Sequence, residues 1–386
     1  MRFSETSKIS GIKRKDLLGL ILAAVLLSMF VLPSFIVPAA DTQANNSRLT
    51  SVPLVGPTNT IVANITKGSY PEALAYDPAN SEMYIVNNGV GTVYAISSIT
   101  DTIVANVTVG TWPYAIAYDA ANKEMYVINS YSNTVSAISS STNKVVATVP
   151  VGTYPQGIAY DPANQEMFVA NYNSGTVTVI TKGNFFTGTL NIGGRPFDLV
   201  FNPTNGEMYV DNTATVFAIS RSNTIVANIT VGGYCAAMAF NQANQEVYVV
   251  NSGSGTVSAI SKTNTVVATI PVGSWPIAIA YNAANMEMYV ANYNSNSTTA
   301  ISKTNTVAAT LTGEGGPMAV AYDPTTKSVY VGNFITGIDS VISKTNAVST
   351  IAGVDKYSAP LAIAYDPANK QLYVANSGIN SVYAIF

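Results

Sequence analysis

The sequence predicts an all-β chain, a β-propeller of eight four-stranded blades, and three observations carry that reading. An aromatic residue followed by Asp or Asn recurs at Tyr76-Asp77, Tyr118-Asp119, Tyr160-Asp161, Phe201-Asn202, Phe240-Asn241, Tyr281-Asn282, Tyr322-Asp323 and Tyr365-Asp366, in steps of 42, 42, 41, 39, 41, 41 and 43 residues. Each period holds four short runs rich in Val, Ile, Tyr and Thr, bounded by Gly, Pro, Asn and Asp, which is the composition of strands. A period near 40 with four such runs marks a propeller blade, whereas helical repeats of that length would space apolar residues by three and four.

Taken in order, the chain opens with Lys13, Arg14 and Lys15 ahead of an apolar run from Leu17 to Val37. Basic residues before such a run hold that end in the cytoplasm and send the downstream chain across the membrane. Residues 1–40 therefore read as a signal peptide, with Val37-Pro38-Ala39 offering small residues to a peptidase, or as a retained N-terminal anchor, since about 20 apolar residues can span a bilayer. Either places the rest of the chain outside the cytoplasm, secreted or held at the cell surface. Residues 41–58 are polar, carry two prolines and lack alternation, so they read as a tether, with the propeller over 59–386.

A full unit reads as an innermost strand of the kind Pro113–Tyr118, a second at Glu124–Ile128, a third at Thr134–Ile138 and an outermost one at Lys144–Val149. In the turn Asp161-Pro162-Ala163-Asn164 the Asp supplies an acceptor and the Pro a fixed φ, so the repeated Asp reads as a turn cap rather than a calcium ligand. The Asn that closes each second strand, from Asn87 to Asn376, reads as capping its own turn. Eight units provide only seven outermost strands after their third strands. The run Asn59 to Thr66 matches the missing one, so the ring is expected to close by pairing this N-terminal strand with the last blade, which would otherwise bare an apolar edge.

Composition narrows the function. Beyond residue 40 there are 13 Lys and Arg against 19 Asp and Glu, a net charge of −6. That balance, with the basic residues scattered, argues against nucleic acid as a partner. Charged residues make up 10% of the chain, against about 25% in an average soluble protein, so the domain is expected to tolerate acid. Histidine is absent and Cys235 is the single cysteine, which excludes intramolecular disulfides, His-containing metal sites and His-based triads. No cofactor and no metal is expected. Cys235 stands where most units have Pro and reads as a small buried residue.

The segments GIAYDPANQEMFVANYNSGTVTVI and SGTVSAISKTNTVVATIPVG resemble the YVTN-family β-propeller repeats of archaeal surface-layer proteins and YncE-like bacterial proteins, over roughly residues 59–386. The resemblance implies an exported interaction module. Many members have seven blades, so the eight units here depart from that pattern. Related propellers include subunits of amine dehydrogenases and nitrous oxide reductase, whose chemistry depends on a partner's quinone or on His-ligated copper.

In a propeller, the loops leading into the innermost strands and those joining second to third strands share one face, around the mouth of the central channel. The lead-in loops bring Tyr70, Trp112, Tyr154, Arg195, Tyr234 and Trp275 to equivalent positions; the second-to-third loops add Tyr131, Tyr172, Tyr293 and Phe334. Such aromatics stack on sugar rings or form protein interfaces, or else pack on the neighbouring blade to seal the ring. The spacing of Trp112 and Trp275 places them three units apart, on one side of the mouth. Unit four carries Arg195, Asp198 and Asp211 near that mouth, either as a salt-bridged plug or as an anchor for a polar ligand. Sequons stand at Asn45, Asn64, Asn106, Asn228 and Asn296. The expectation is a non-enzymatic surface protein that binds a cell-surface glycan or protein, with a structural surface-layer role as the alternative, an enzyme or enzyme subunit ranked third, and the membrane engaged only through the N-terminal segment.

Overall fold

The computed structural model describes residues 59–66, 69–337, 339–351 and 353–386. The expected signal or anchor, the tether and the Asn45 sequon lie outside them. Among the described residues no helix is long and apolar enough to cross a membrane.

Eight antiparallel four-stranded sheets make up the molecule, seven of them meanders of consecutive strands. Blade 2 is typical, with strands Pro113–Asp119, Glu124–Asn129, Thr134–Ser139 and Lys144–Pro150, each within a residue or two of the sequence expectation. Innermost strands of adjacent blades pack against one another all the way round, blade 8 against blade 1 included. The three inner strands of a blade are covered on both faces by its neighbours, so they read as almost continuous apolar runs; Glu124–Asn129 is buried at five of six positions. Outermost strands face water and alternate instead, as in Ile103–Thr108.

The eighth sheet joins the ends of the ring. Its strands are Pro360–Asp366, Gln371–Asn376, Ser381–Ile385 and Ile61–Ile65, the last paired antiparallel with Ser381–Ile385 through Ile61↔Ile385, Ala63↔Ala384 and Ile65↔Val382. Beyond the ladder, Phe386 donates its amide to the Thr60 carbonyl at 3.1 Å.

Two repeated devices hold the blades. The Asx of every unit accepts the amide two residues on, as Asp161 does from Ala163 at 2.8 Å and Asn241 from Ala243 at 2.8 Å, so the turn-cap reading holds in all eight. Between blades, the buried Tyr of a second strand donates its hydroxyl to the residue in the third-to-fourth turn of the next blade: Tyr126 to Asn184, Tyr289 to Asn346 and Tyr373 to Asp101, each at 2.5 Å. Blade 3 has Phe168 at this place and breaks the belt.

The recurrent Asn joins the lead-in loop to the third strand rather than capping its own turn as expected. Asn129 accepts the Gly110 amide at 3.0 Å from the lead-in loop and donates to Ser136 at 3.0 Å on the third strand, so it ties the first loop of a blade to its third strand.

Candidate functional site

The channel mouth is built from one backbone feature used repeatedly. Tyr70, Trp112, Tyr154, Tyr234 and Trp275 all take left-handed φ values of 54° to 56°, immediately before the strand that lines the channel. This turns each carbonyl toward the second-to-third loop of its own blade, where Ser130 donates to Trp112 at 2.9 Å, Tyr172 to Tyr154 at 3.0 Å and Tyr293 to Trp275 at 3.0 Å. Such a conformation costs an L-residue roughly 1–2 kcal/mol. Blade 7 meets the same demand with Gly316 at φ 64°, whose carbonyl accepts from Phe334 at 2.9 Å, and blade 8 with Ala359 at φ 46°, whose carbonyl accepts from Ser377 at 3.2 Å. The turn therefore does not require an aromatic side chain.

What the side chains do differs round the ring. In blades 2 to 4 the lead-in and second-to-third loops interleave their rings into one ribbon. Trp112 lies 4.8 Å from Tyr131 between ring centroids, Tyr131 lies 5.7 Å from Tyr154, Tyr154 lies 6.3 Å from Tyr172, and Tyr172 meets Phe197 edge-on at 6.5 Å. The Arg195 guanidinium carbon sits 5.4 Å from the Tyr172 ring centroid and closes the ribbon with a cation–π contact. Trp112 is 37% exposed and Tyr131 58%, so the ribbon presents ring faces to solvent. Across the mouth, Trp275, Tyr293 and Phe334 are half-buried against the largest apolar cluster. The rings thus pack on one another in one arc and on the apolar core in the other. The tryptophans also stand farther apart than expected: they lead into blades 2 and 6, opposite each other in an eightfold ring.

Unit four corrects the sequence reading. Asp198 and Asp211 do not flank Arg195; among the described residues no ion pair joins them. Both carboxyls are buried and satisfy amides freed where the ladder breaks between Pro196 and Leu199. Asp211 accepts from Phe197 at 2.8 Å and Asp198 at 2.9 Å, while Asp198 accepts from Leu199 at 2.8 Å and, across to blade 5, from Met238 at 2.7 Å. Burial pushes the Asp198 carboxyl up to about 7 against the pull of those amides. Asp211 is held well above the usual range by burial and then by the charge of Asp198. These two residues pin strands and are neither a plug nor a mouth ligand. Cys235 is buried, with its thiol pushed up by burial and by Asp211.

Tyr70 and Tyr234 lie exposed on the same face, and the Tyr70 amide donates to Asn380 of blade 8 at 2.8 Å. Phe197 belongs to the ribbon without having been singled out, because in sequence it reads as one more core residue. Among the sequons, Asn64, Asn106 and Asn228 are exposed on outermost strands. Asn296 instead seals blade 6 to blade 7 by accepting the Gly316 amide at 2.9 Å, and the Thr298 of its sequon is fully buried. Among the described residues no cluster of three or more Cys, Asp or Glu is placed to hold a metal ion.

The architecture defines the chain as an eight-bladed β-propeller. No family model matches it, and neither does any curated protein. Solved structures do. It is similar to the C-terminal WD40 domain of Sif2 (TM-score 0.70, 12% identity, 84% of this chain and 98% of that one). Virginiamycin B lyase from Staphylococcus aureus (0.59, 11%, 83% and 97%) and the dihydro-heme d1 dehydrogenase NirN (0.67, 11%, 84% and 78%) are similar too. At these identities the likeness is one of fold. It nevertheless overturns the expectation that a propeller of this kind is not an enzyme: a lyase and a dehydrogenase share the fold, so the architecture leaves catalytic activity open.

Proposed function

We propose that this propeller is an exported surface protein that binds glycan through the aromatic ribbon of blades 2 to 4. One observation carries the reading. Trp112 and Tyr154 hold a costly left-handed conformation that glycine fills in blade 7, and their rings, instead of being buried, line up with Tyr131 and Tyr172 across the mouth. Side chains kept at such positions and left half-exposed are suited to stacking on the C–H faces of sugar rings. The basic residues before the apolar run of 17–37 and the resemblance of the repeats to the YVTN family support placement at the cell surface. The test is a glycan array probed with the full chain and with its Tyr131→Ala, Tyr154→Ala variant. Retention by the wild type and loss by a folded variant is the expected result; equal binding by both contradicts it.

A second reading has its own support. Phe185 and Phe186 are exposed side by side on the outermost strand of blade 3, at 68% and 54%, and suit a structural surface-layer role in which rims pack laterally. Concentration-dependent assembly without any ligand would favour it.

A further inference from the structure

The residue just after the start of each innermost strand is skipped by the ladder: the register breaks between Pro71 and Ala73 in blade 1 and between Pro155 and Gly157 in blade 3. Such bulges re-aim a side chain. In blades 1 to 3 this residue is Glu72, Tyr114 and Gln156; in blades 4 to 8 all five are apolar, from Phe197 to Leu361. All are nearly or fully buried, and the residues of blades 5 to 8 belong to a single apolar cluster. The floor of the mouth is therefore two-sided, and its polar arc lies beside the ribbon. Glu72 lies near Tyr114 and Tyr154, and the Gln156 side chain lies beside the phenol of Tyr154.

Two atoms of this arc have no partner: Oε2 of Glu72 and Nε2 of Gln156, on side chains only 3% exposed. A buried polar group left unpaired is a standing cost, and native structures keep few without a reason. One orphan accepts and the other donates, which is the complement of hydroxyl groups, each able to do both.

We propose that Glu72 and Gln156 receive the hydroxyl edge of an uncharged sugar residue whose ring face lies on the aromatic ribbon. The inference rests on the glycan reading above and narrows its ligand class. Burial holds the Glu72 carboxyl well above the usual range, with the Asn88 amide opposing. A charged sugar, basic or acidic, would have to give up its hydration beside side chains only 3% exposed. An acidic one would also find no Lys or Arg at the equivalent position of any blade.

The test is calorimetric titration of the full chain with four hexamers: mannohexaose, cellohexaose, hexagalacturonate and the glucosamine hexamer. At least one neutral hexamer should bind, with the two charged ones at least tenfold weaker. Glu72→Leu and Gln156→Leu should each lower that affinity at least tenfold, and the conservative Glu72→Gln should recover most of it. Leu361 occupies the same position in blade 8, so leucine there suits the fold, and melting curves check each variant. Preferential binding of the glucosamine hexamer, with no rescue by Glu72→Gln, overturns the inference in favour of an ion pair. Neutral binding that survives Glu72→Leu but not Trp112→Ala overturns it and leaves the ribbon reading standing. Failure of all four hexamers to bind removes both.

Discussion

The phenol of Tyr330 donates a hydrogen bond to the side-chain carbonyl of Asn59, across 271 residues of sequence. It is the belt contact made elsewhere between one blade and the third-to-fourth turn of the next, and Asn59 takes the place of that turn for blade 8, left-handed φ of 67° included. The N-terminal strand is thus the eighth outermost strand in its tertiary contacts as well as in its ladder.

The belt has one flaw that can be repaired. Between blades 3 and 4 the tyrosine is replaced by Phe168, and Asn223, the residue that would accept its hydroxyl, has a buried Oδ1 without a partner. Phe168→Tyr should therefore stabilise the protein by about 1 kcal/mol, whereas Tyr330→Phe should cost about the same. Urea denaturation of both variants measures this; a destabilised Phe168→Tyr would show that the joint lacks room for the hydroxyl.

Deleting residues 59–66 removes one ladder and the Tyr330 contact, and bares the Ser381–Ile385 strand as an apolar edge. The truncated chain should lose its monomeric, cooperatively unfolding state. Light scattering and calorimetry check it, and an unchanged monomer with the parent melting temperature would refute the closure.

Acid should stabilise this domain. Burial raises Asp198, Glu314 and Asp339 to about 7, and Glu72 and Asp211 are raised as well. The folded state thus holds protons that the unfolded chain releases near pH 4. The stability these groups contribute is complete below about pH 4 and is lost as pH rises toward and through about 7. The melting temperature should be higher at pH 4.5 than at pH 8, and the reverse order would contradict these burials.

At the mouth, the strain of the left-handed turn should be relieved by glycine but not by alanine, which keeps the Cβ of the native residue. Tyr234 is exposed and has φ 55°, so Tyr234→Gly should be more stable than Tyr234→Ala by about 1 kcal/mol. Equal melting temperatures would mean that the strain is absent.

Most of the fold was legible because each blade repeats its own turn chemistry: the Asx cap, the Pro-led inner strand and the closing Asn recur eight times or nearly so, and the missing outermost strand could be counted. The site was legible only in part. Loop sequence placed Trp112, Tyr131, Tyr154 and Tyr172 on one face, but whether rings interleave or sink into the core depends on the neighbouring loops, and Trp275 shows the other outcome. Asp198 and Asp211 were misread because a charge near a mouth suggests a partner charge, while the amides freed by the local break in pairing cannot be seen in sequence. Glu72 and Gln156 were visible as departures from an apolar position, a signal that only the bulge makes meaningful.

The central claim, that the ribbon and not the rest of the mouth binds glycan, is tested most directly by comparing the two tryptophans. Trp112 is exposed in the ribbon and Trp275 is half-buried against the core, and no other tryptophan is present. Affinity for the glycan best retained on the array should fall at least tenfold in Trp112→Ala with little change in melting temperature. Trp275→Ala should bind as the parent does but lose about 2 kcal/mol of stability, as truncation of a partly buried aromatic does. Full binding by Trp112→Ala, or loss of binding by a folded Trp275→Ala alone, would contradict the account.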